Sequence, residues 1–287
     1  MKFEMIGTLL VFDCSIFRGT KSHDRDPKCN DYLVARMARK AYWFYQRQLW
    51  GDVNHLPEDA SEHSSHVWGN LGIVCIERRL EVTMGPGRMT PKTSHKNFLG
   101  ESQWESLEFQ LFEGSLSTVK NLVVVQSSPY ALMGTTTSSF LKLIPPQLDK
   151  VGFGTHPREQ AEYMHMLKRW KKSQEGRQLF LIGGDLHYGL ETEIFQDEES
   201  ICMQLISSAI SNNPPPKTLF AFLKTVLKSK QKINAEFHFM HKKFLNRRNF
   251  LQLQFREGSP AKYHFVTGAE DDEDEPETKG LGSTRDD

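Results

Sequence analysis

An aspartate and a histidine two positions apart, Asp185 and His187, are the side chains of this sequence best placed to do chemistry. They follow an apolar run, Leu179 to Ile182, and the pair Gly183-Gly184, which is expected to supply backbone angles closed to other residues. Aspartate oxygen and histidine nitrogen are common metal ligands, and a buried strand would hold both in place. The spacing indicates a metal site. The competing interpretation is that Asp185 caps a turn while His187 is a partly exposed loop residue.

Three further histidines, His55, His63 and His66, lie in the polar segment that ends at His66. Histidine-rich tracts can bind metals. These three lack the tight spacing of a ligand set, so an ordinary polar loop is the competing interpretation. The apolar segment that follows, Trp68 to Ile76, predicts a single strand.

The elements that must position the candidate ligands follow a repeated order of helix, glycine, apolar strand and loop. This order runs from Ser102 to Pro129 and again from Pro157 to Tyr188. The first helix begins with a capping-box pattern, Ser102 and Glu105, and the second has proline at its first position. The repeat is typical of a layered α/β fold, in which functional groups lie beyond the carboxyl ends of the strands.

The flanking regions give further predictions. Near the amino terminus, Met5 to Phe12 predicts a strand, and a helix is expected from Asp31 with Met37 and Phe44 among its buried residues. After Tyr188 the pattern predicts two strands around the turn at Asp197 and then a helix from Leu219 to Leu227. A Lys-rich solvated surface and two paired strands, Phe250 to Phe255 and Lys262 to Val266, are expected to follow.

Composition limits the function classes. The chain has 287 residues, 38% hydrophobic and 25% charged, with a formal net charge of zero. These values fit a globular domain and disfavour a nucleic-acid partner. The four cysteines are far apart, which favours a reducing compartment and a cytoplasmic location. No apolar run reaches the roughly 18 residues that span a bilayer, and peripheral membrane association stays open. The acidic segment after Gly268 predicts a disordered tail over residues 268–287.

The stretch Gly183 to Gly189, behind its hydrophobic strand, resembles the late motif of the PhoD-like branch of the calcineurin-like metallophosphatases. Further blocks occur in matching order, and the similarity runs from about residue 5 to about 267. The matching blocks are Glu77 to Arg79, Leu99 to Trp104, Ser127 to Pro129, His156 to Gln160, Gln204 to Asn212 and Arg248 to Phe250. The resemblance therefore assigns residues 1–267 to a partial PhoD-like metallophosphatase domain.

This resemblance implies an α/β layered fold of two packed mixed sheets flanked by helices. It also implies two metal ions, drawn from Fe, Ca, Mn or Mg, that bind phosphate oxygens and activate a hydroxide. By resemblance, Asp185, His187 and Asp13 are metal ligands, and Asp149 is a candidate for lining the site. The expected partner is a phosphate ester substrate or a phosphorylated ligand. Catalytic residues and the oligomeric state are left unassigned.

Two departures from the family pattern affect the expected activity. The family's early ligand motifs have no counterpart here, so the domain is expected to be N-terminally truncated. Asp13 matches a family block, but Cys14 replaces an acid and Ser15 replaces the histidine near the leaving group. Loss of a proton donor commonly costs about 10² to 10⁴ in rate. Three interpretations follow: a metal-dependent phosphoric ester hydrolase, a non-catalytic pseudophosphatase that binds or scaffolds a partner, and an incomplete sequence of a longer active protein.

Overall fold

A computed structural model describes residues 2–5, 37, 40–41, 44–45, 63–77, 99–134, 157–207, 213–256 and 258–267. Within these residues lie two β-sheets, three α-helices with defined ends, a 3₁₀ helix at Ser115–Ser117, and isolated helical positions at 37, 40 and 41. The strands are β1 (Lys2–Met5), β2 (Ser64–Trp68), β3 (Leu71–Cys75), β4 (Asn121–Val125), β5 (Gln178–Gly183), β6 (Gly189–Gln196), β7 (Glu199–Ile206), β8 (Gln231–Lys232), β9 (Phe237–Leu245), β10 (Asn249–Gln254) and β11 (Lys262–Thr267). The helices are α1 (Glu101–Phe112), α2 (Pro157–Lys172) and α3 (Lys217–Leu227).

The larger sheet has eight strands in the order β2-β3-β4-β5-β7-β6-β9-β8. Neighbouring strands are parallel from β3 through β4 and β5 to β7. Their carboxyl ends consequently lie along one side of the sheet, which we call the carboxyl edge. Strand β6 runs antiparallel to β7 and begins at this edge, where Gly189 pairs with Leu245 at the end of β9. The central parallel strands and their crossover helices are the arrangement that the repeated sequence order predicts.

The smaller sheet, in the order β1-β10-β11, is antiparallel and covers one face of the larger one. Leu251 and Leu253 of β10 cluster with Val123, Val125 and Phe180 of the larger sheet. The opposite face packs on the helices, whose buried residues include Trp104, Leu107, Leu111, Met164, Leu167 and Trp170. These two apolar layers confirm the predicted layered α/β fold, with two sheets and flanking helices. Within the described residues, no helix is long and apolar enough to cross a membrane.

Helix α1 begins differently from the capping-box prediction. It starts at Glu101, its N-cap is Gly100 with φ of 80°, and no side chain caps it. Ser102 therefore lies inside the first turn. The buried amide of Gln103 braces this end instead, because its Nε2 donates to the carbonyl of Leu99 at 2.8 Å.

The apolar run Trp68 to Ile76 is not one strand, because it contains the last residue of β2, a two-residue turn and β3; most of β2 lies in the segment interpreted as a polar loop. Strands β2 and β3 pair antiparallel, with Trp68 opposite Leu71 and only Gly69 and Asn70 between them. Gly69 has φ of 57°, an angle that glycine adopts without steric cost in a two-residue hairpin turn. The Gly69-Asn70 pair is the sequence signal for a turn here, and it determines the structure although the residues around it are apolar.

The segment expected to be Lys-rich surface after α3 contains the long strand β9. Phe237 and Phe239 are fully buried, and His241 is 4% exposed. The register with β6 shifts after His241, since Lys243 pairs with Glu191 and His241 with Thr192. This bulge breaks the period of two, so that adjacent lysines interrupt the alternation by which a strand is recognised in sequence.

Other predictions concern residues that lie outside the described part of the structure. Residues 6–12 of the first predicted strand, most of the helix from Asp31, and the acidic tail 268–287 lie there. Of the predicted first strand, only Met5 belongs to β1. Two described positions of the expected helix contradict its buried stripe, because Met37 is 67% exposed and Phe44 is 55% exposed. Those side chains face solvent and add nothing to the core.

Candidate functional site

The carboxyl edge collects polar residues from strands that are far apart in sequence. Each parallel strand of the larger sheet is followed by at least one of them. They are Glu77 after β3, Gln126 and Ser128 after β4, Asp185 and His187 after β5, and Ser207 after β7. In open α/β sheets this edge is the usual place for a ligand. The sequence predicted two of these positions, Asp185 and His187, as metal ligands.

Asp185 and His187 both have left-handed backbone angles. Their φ values are 78° and 58°, and among the described non-glycine residues only Asp197 shares this feature. Asp197 lies in the tight turn between β6 and β7, where such an angle is ordinary. The angles at Asp185 and His187 are uncommon outside such turns, and a histidine tolerates them less well than glycine. Backbone strain of this kind persists only where the surrounding structure imposes it, and it concentrates at functional sites.

Buried contacts on both sides impose this conformation. Before the loop, the amide of Gln126 donates to the carbonyl of Ile182 at 2.8 Å, and Ser207 donates to Gly183 at 3.0 Å. After the loop, Tyr188 is 4% exposed and packs against Phe220 of α3 with 5.6 Å between ring centroids. Asp185 is half-buried and His187 exposed, so the two candidate ligands are accessible and lie between buried residues.

The glycine pair before the loop has a different role from the predicted one. Neither Gly183 nor Gly184 has a positive φ; the strained angles belong to Asp185 and His187. A Cβ on Gly183 would lie 3.0 Å from Ile206 Cδ1 and 3.3 Å from the carbonyl oxygen of Gln126. Gly183 therefore permits the close approach of neighbouring strands, a use of glycine that its sequence context does not distinguish from a turn.

The loop after β4, Ser127 to Gly134, is held by buried glutamine amides. Gln204 of β7 accepts hydrogen bonds from the amides of Tyr130 and Ala131 at 2.7 and 2.9 Å, and donates to the carbonyl of Ala131 at 2.7 Å. Gln160 of α2 donates to the carbonyl of Tyr130 at 3.0 Å, and the Tyr130 hydroxyl donates back to the carbonyl of Gln160 at 2.8 Å. These bonds fix the loop beside the carboxyl edge although it has no regular structure.

His241 extends this network from β9. Its Nε2 lies 3.0 Å from the carbonyl of Leu132, which only accepts, so Nε2 carries the proton. Its Nδ1 lies 2.7 Å from the hydroxyl of Thr192, and in the neutral ring this nitrogen accepts from the hydroxyl. Burial lowers the pKa of His241 to about 4, against an ordinary value of 6.5, and the bond to Leu132 offsets this only in part.

The His241 pKa predicts a pH-dependent stability. The unfolded chain takes up a proton at this histidine near pH 6.5 and the folded chain only near pH 4, so stability is present above pH 6.5 and is lost as pH falls towards 4. The loss attributable to this group is about 3 kcal/mol. Urea unfolding of wild type and His241→Gln at pH 7 and pH 4.5 measures it. The difference between the two pH values should shrink in His241→Gln and persist in His165→Gln, and an unchanged difference in His241→Gln would contradict the assignment.

Two blocks that carry the family resemblance brace the site. Gln103 donates to the carbonyl of Glu77 at 2.7 Å and accepts from the Glu77 amide at 2.8 Å, which ties the end of β3 to α1. Glu159 of α2 is 3% exposed, and its Oε1 accepts from the Leu99 amide at 2.9 Å and from Trp104 Nε1 at 2.7 Å. The sequence suggested these blocks only as family markers, and their partners show a structural role.

The structure brings together only part of the predicted ligand set. Asp185 and His187 share the loop after β5, whereas Asp13, Cys14 and Asp149 lie outside the described residues. Within the described residues there is no group of three or more His, Cys, Asp or Glu side chains that could hold a metal. Asp185 and His187 fit a metal ion as one carboxylate and one imidazole ligand. Further His, Cys, Asp or Glu ligands for that ion would have to come from outside the described residues.

The two described histidines of the polar segment, His63 and His66, have different partners. His63 Nε2 lies 2.8 Å from the Ser106 hydroxyl, and burial lowers the pKa of His63. His66 stacks on Trp68 with 5.5 Å between ring centroids. His55 lies outside the described residues. The described pair thus has separate contacts, and His66 lies in β2 and not in the expected polar loop.

Comparison with known proteins supports the fold. No protein-family model matches the chain, and no curated protein sequence matches it. A solved structure described as "Structure of PhoD" matches with a TM-score of 0.54 and 16% sequence identity, covering 80% of this chain and 44% of that one. This chain therefore spans less than half the length of the PhoD chain. With its two sheets and flanking helices, it shares the layered metallophosphatase-like fold of PhoD.

Proposed function

We propose that this chain is a PhoD-type phosphoric ester hydrolase domain whose carboxyl edge binds a metal ion and a phosphate ester. The observation that carries the proposal is the loop after β5, where Asp185 and His187 follow a core strand and both have strained, positive φ. Buried anchors at Gly183 and Tyr188 maintain that geometry. The fold shared with PhoD supports a phosphoester as the ligand class.

Asp185 and His187 would hold the metal ion, for which Fe, Ca, Mn and Mg are the candidates. A bound ion of this kind polarises a phosphoryl oxygen and lowers the pKa of bound water. The contribution of the chain itself is orientation: the anchors on either side fix where the carboxylate and the imidazole sit. A preorganised pair of ligands loses less freedom on binding than a mobile pair, which favours affinity.

Hydrolysis of phosphate esters by this chain is proposed to be slow or absent. By the family resemblance, Cys14 stands where relatives have an acid, and Ser15 stands where they have the histidine near the leaving group. A domain with this substitution would bind a phosphorylated ligand without hydrolysing it efficiently. The alternative role is therefore a pseudophosphatase that acts in binding or as a scaffold. Cytoplasmic location and peripheral membrane association stay predictions.

Metal titration and a hydrolysis assay on the same protein test the proposal. Calorimetry with Mn²⁺ should show binding to the wild type and a loss of at least about tenfold in affinity for Asp185→Asn, because the variant exchanges a charged ligand for a neutral one. Asp197→Asn is the matched control, since Asp197 is also an aspartate with positive φ but lies in a hairpin turn. Its affinity should equal that of the wild type.

Hydrolysis of a generic phosphodiester is expected to be at or near background with Mn²⁺ present. Metal-dependent hydrolysis that disappears in Asp185→Asn would refute the low-turnover part of the proposal and leave the metal site standing. Equal Mn²⁺ affinity in wild type, Asp185→Asn and Asp197→Asn would refute the site itself. The two parts of the proposal thus fail by different measurements.

A further inference from the structure

One buried glutamine at the carboxyl edge has an amide with no hydrogen-bond partner. Five glutamines are buried among the described residues: Gln103, Gln126, Gln160, Gln204 and Gln231. Four of them use their amides in hydrogen bonds that fix neighbouring backbone. Gln126 is 1% exposed, and neither its Nε2 nor its Oε1 has a partner. A buried amide left unbonded lowers the stability of the fold, so this exception requires an explanation.

The position of Gln126 in the sheet explains why its amide has no partner within the fold. It is the first residue after β4, and its backbone amide donates to the carbonyl of Ile182. The parallel register pairs Val125 with Ile182, so Gln126 lies beside Gly183, two residues before Asp185. The Gln126 carbonyl oxygen would lie 3.3 Å from a Cβ at Gly183, a tight contact. The residue that carries the unbonded amide therefore follows β4 at the same edge as the loop after β5, where ligands bind in such sheets.

We propose that Gln126 is a ligand-binding residue whose Nε2 donates a hydrogen bond to a non-bridging oxygen of a phosphoryl group. The inference rests on the proposed function, because it places the phosphate at the same edge. A neutral amide suits this role, since it donates to the oxyanion without adding charge beside a metal ion. Its Oε1 accepts from water or from a hydroxyl of the ligand. Binding then gives a hydrogen-bond partner to an amide that has none within the fold.

The methionine variant separates a ligand-binding role from a structural one. Gln126→Met keeps the side-chain length and removes the unbonded polar atoms. We expect its dissociation constant for inorganic phosphate, measured by calorimetry in Mg²⁺ buffer, to rise by about tenfold or more. Its melting temperature should rise by about 2–4 °C, because an unsatisfied buried amide has been removed. Its affinity for Mg²⁺ alone should be unchanged.

Gln204→Met is the matched control. The same substitution at Gln204 removes an amide that bonds to Tyr130 and Ala131, so its melting temperature should fall. Opposite signs of the two melting-temperature changes, together with weaker phosphate binding by Gln126→Met, support the inference.

Three outcomes would overturn it, and they are distinguishable. If the wild type binds no phosphate, the proposed function and this inference fail together. If the wild type binds phosphate and Gln126→Met binds it equally well, only the role of Gln126 fails. If Gln126→Met lowers the melting temperature or weakens Mg²⁺ binding, the amide has a structural or metal-binding role, and the phosphate contact is wrong.

Discussion

Replacement of Glu159 by alanine is expected to lower the free energy of unfolding by about 3–5 kcal/mol, the largest stability effect predicted for a single residue of this chain. Glu159 is 3% exposed, and one carboxylate oxygen accepts from both the Leu99 amide and Trp104 Nε1. Truncation leaves two buried donors without this acceptor, and each costs about as much as a lost hydrogen bond to a charged group. Urea unfolding monitored by circular dichroism measures the change.

A neighbour on the same helix provides the control. Glu162 forms an ion pair with Arg158 at 3.2 Å, and both side chains are substantially exposed, at 43% and 69%. Exposed pairs of this kind contribute little, so Glu162→Ala should change stability by less than about 1 kcal/mol. Glu159→Gln keeps an acceptor oxygen and should lie between the two alanine variants. Similar losses for Glu159→Ala and Glu162→Ala would show that the buried bonds to Leu99 and Trp104 are unimportant.

Local patterns predicted the elements that position the site. The apolar run before Gly183, the buried strand at Asn121 to Val125 and the proline at the start of α2 each depend on residues close in sequence. Such patterns report which face is buried and where a helix begins, so the layered α/β order followed from them. The parallel pairing of β4 and β5 also follows, because a crossover helix joins strands of the same direction.

The contacts that fix the site were beyond the reach of those patterns. His241 and Leu132 are 109 positions apart, and Gln204 and Tyr130 are 74 apart. A polar residue in a strand reads as solvent-facing unless its partner is known, and the partner is set by how the sheets and helices pack. The same limit applies to Gln126, whose significance comes from burial without a partner. Sequence alone gives no signal that separates it from the four bonded glutamines.

The hydrogen bonds of Gln103 and Glu159 also affect how the family resemblance is interpreted. The blocks around Gln103 and Glu159 join helix ends to the end of β3 and to each other. A chain can keep them for stability whether or not it turns over a substrate, so they support the fold more strongly than the activity. Evidence for activity must come from residues at the carboxyl edge that the fold itself does not need.

His187 lies at that edge, and its substitution by glycine should separate function from stability. Glycine adopts φ near 58° freely, so His187→Gly is expected to raise the free energy of unfolding by about 1 kcal/mol relative to His187→Ala, which keeps the unfavourable backbone angle. Both variants lose the imidazole that is proposed as a ligand, and should bind Mn²⁺ about 100-fold more weakly than the wild type, or worse. Urea unfolding and calorimetry on the three proteins measure the two effects.

Asp197→Gly tests whether a positive φ is linked to Mn²⁺ binding only at the loop after β5. Asp197 has φ of 52° in the turn between β6 and β7, so glycine should be tolerated there with Mn²⁺ affinity unchanged. Loss of affinity on replacing His187, with none on replacing Asp197, would show that the strain after β5 is retained for ligand binding. Unchanged Mn²⁺ affinity in His187→Gly and His187→Ala would show instead that the loop geometry is structural, with Tyr188 packing as its sufficient cause.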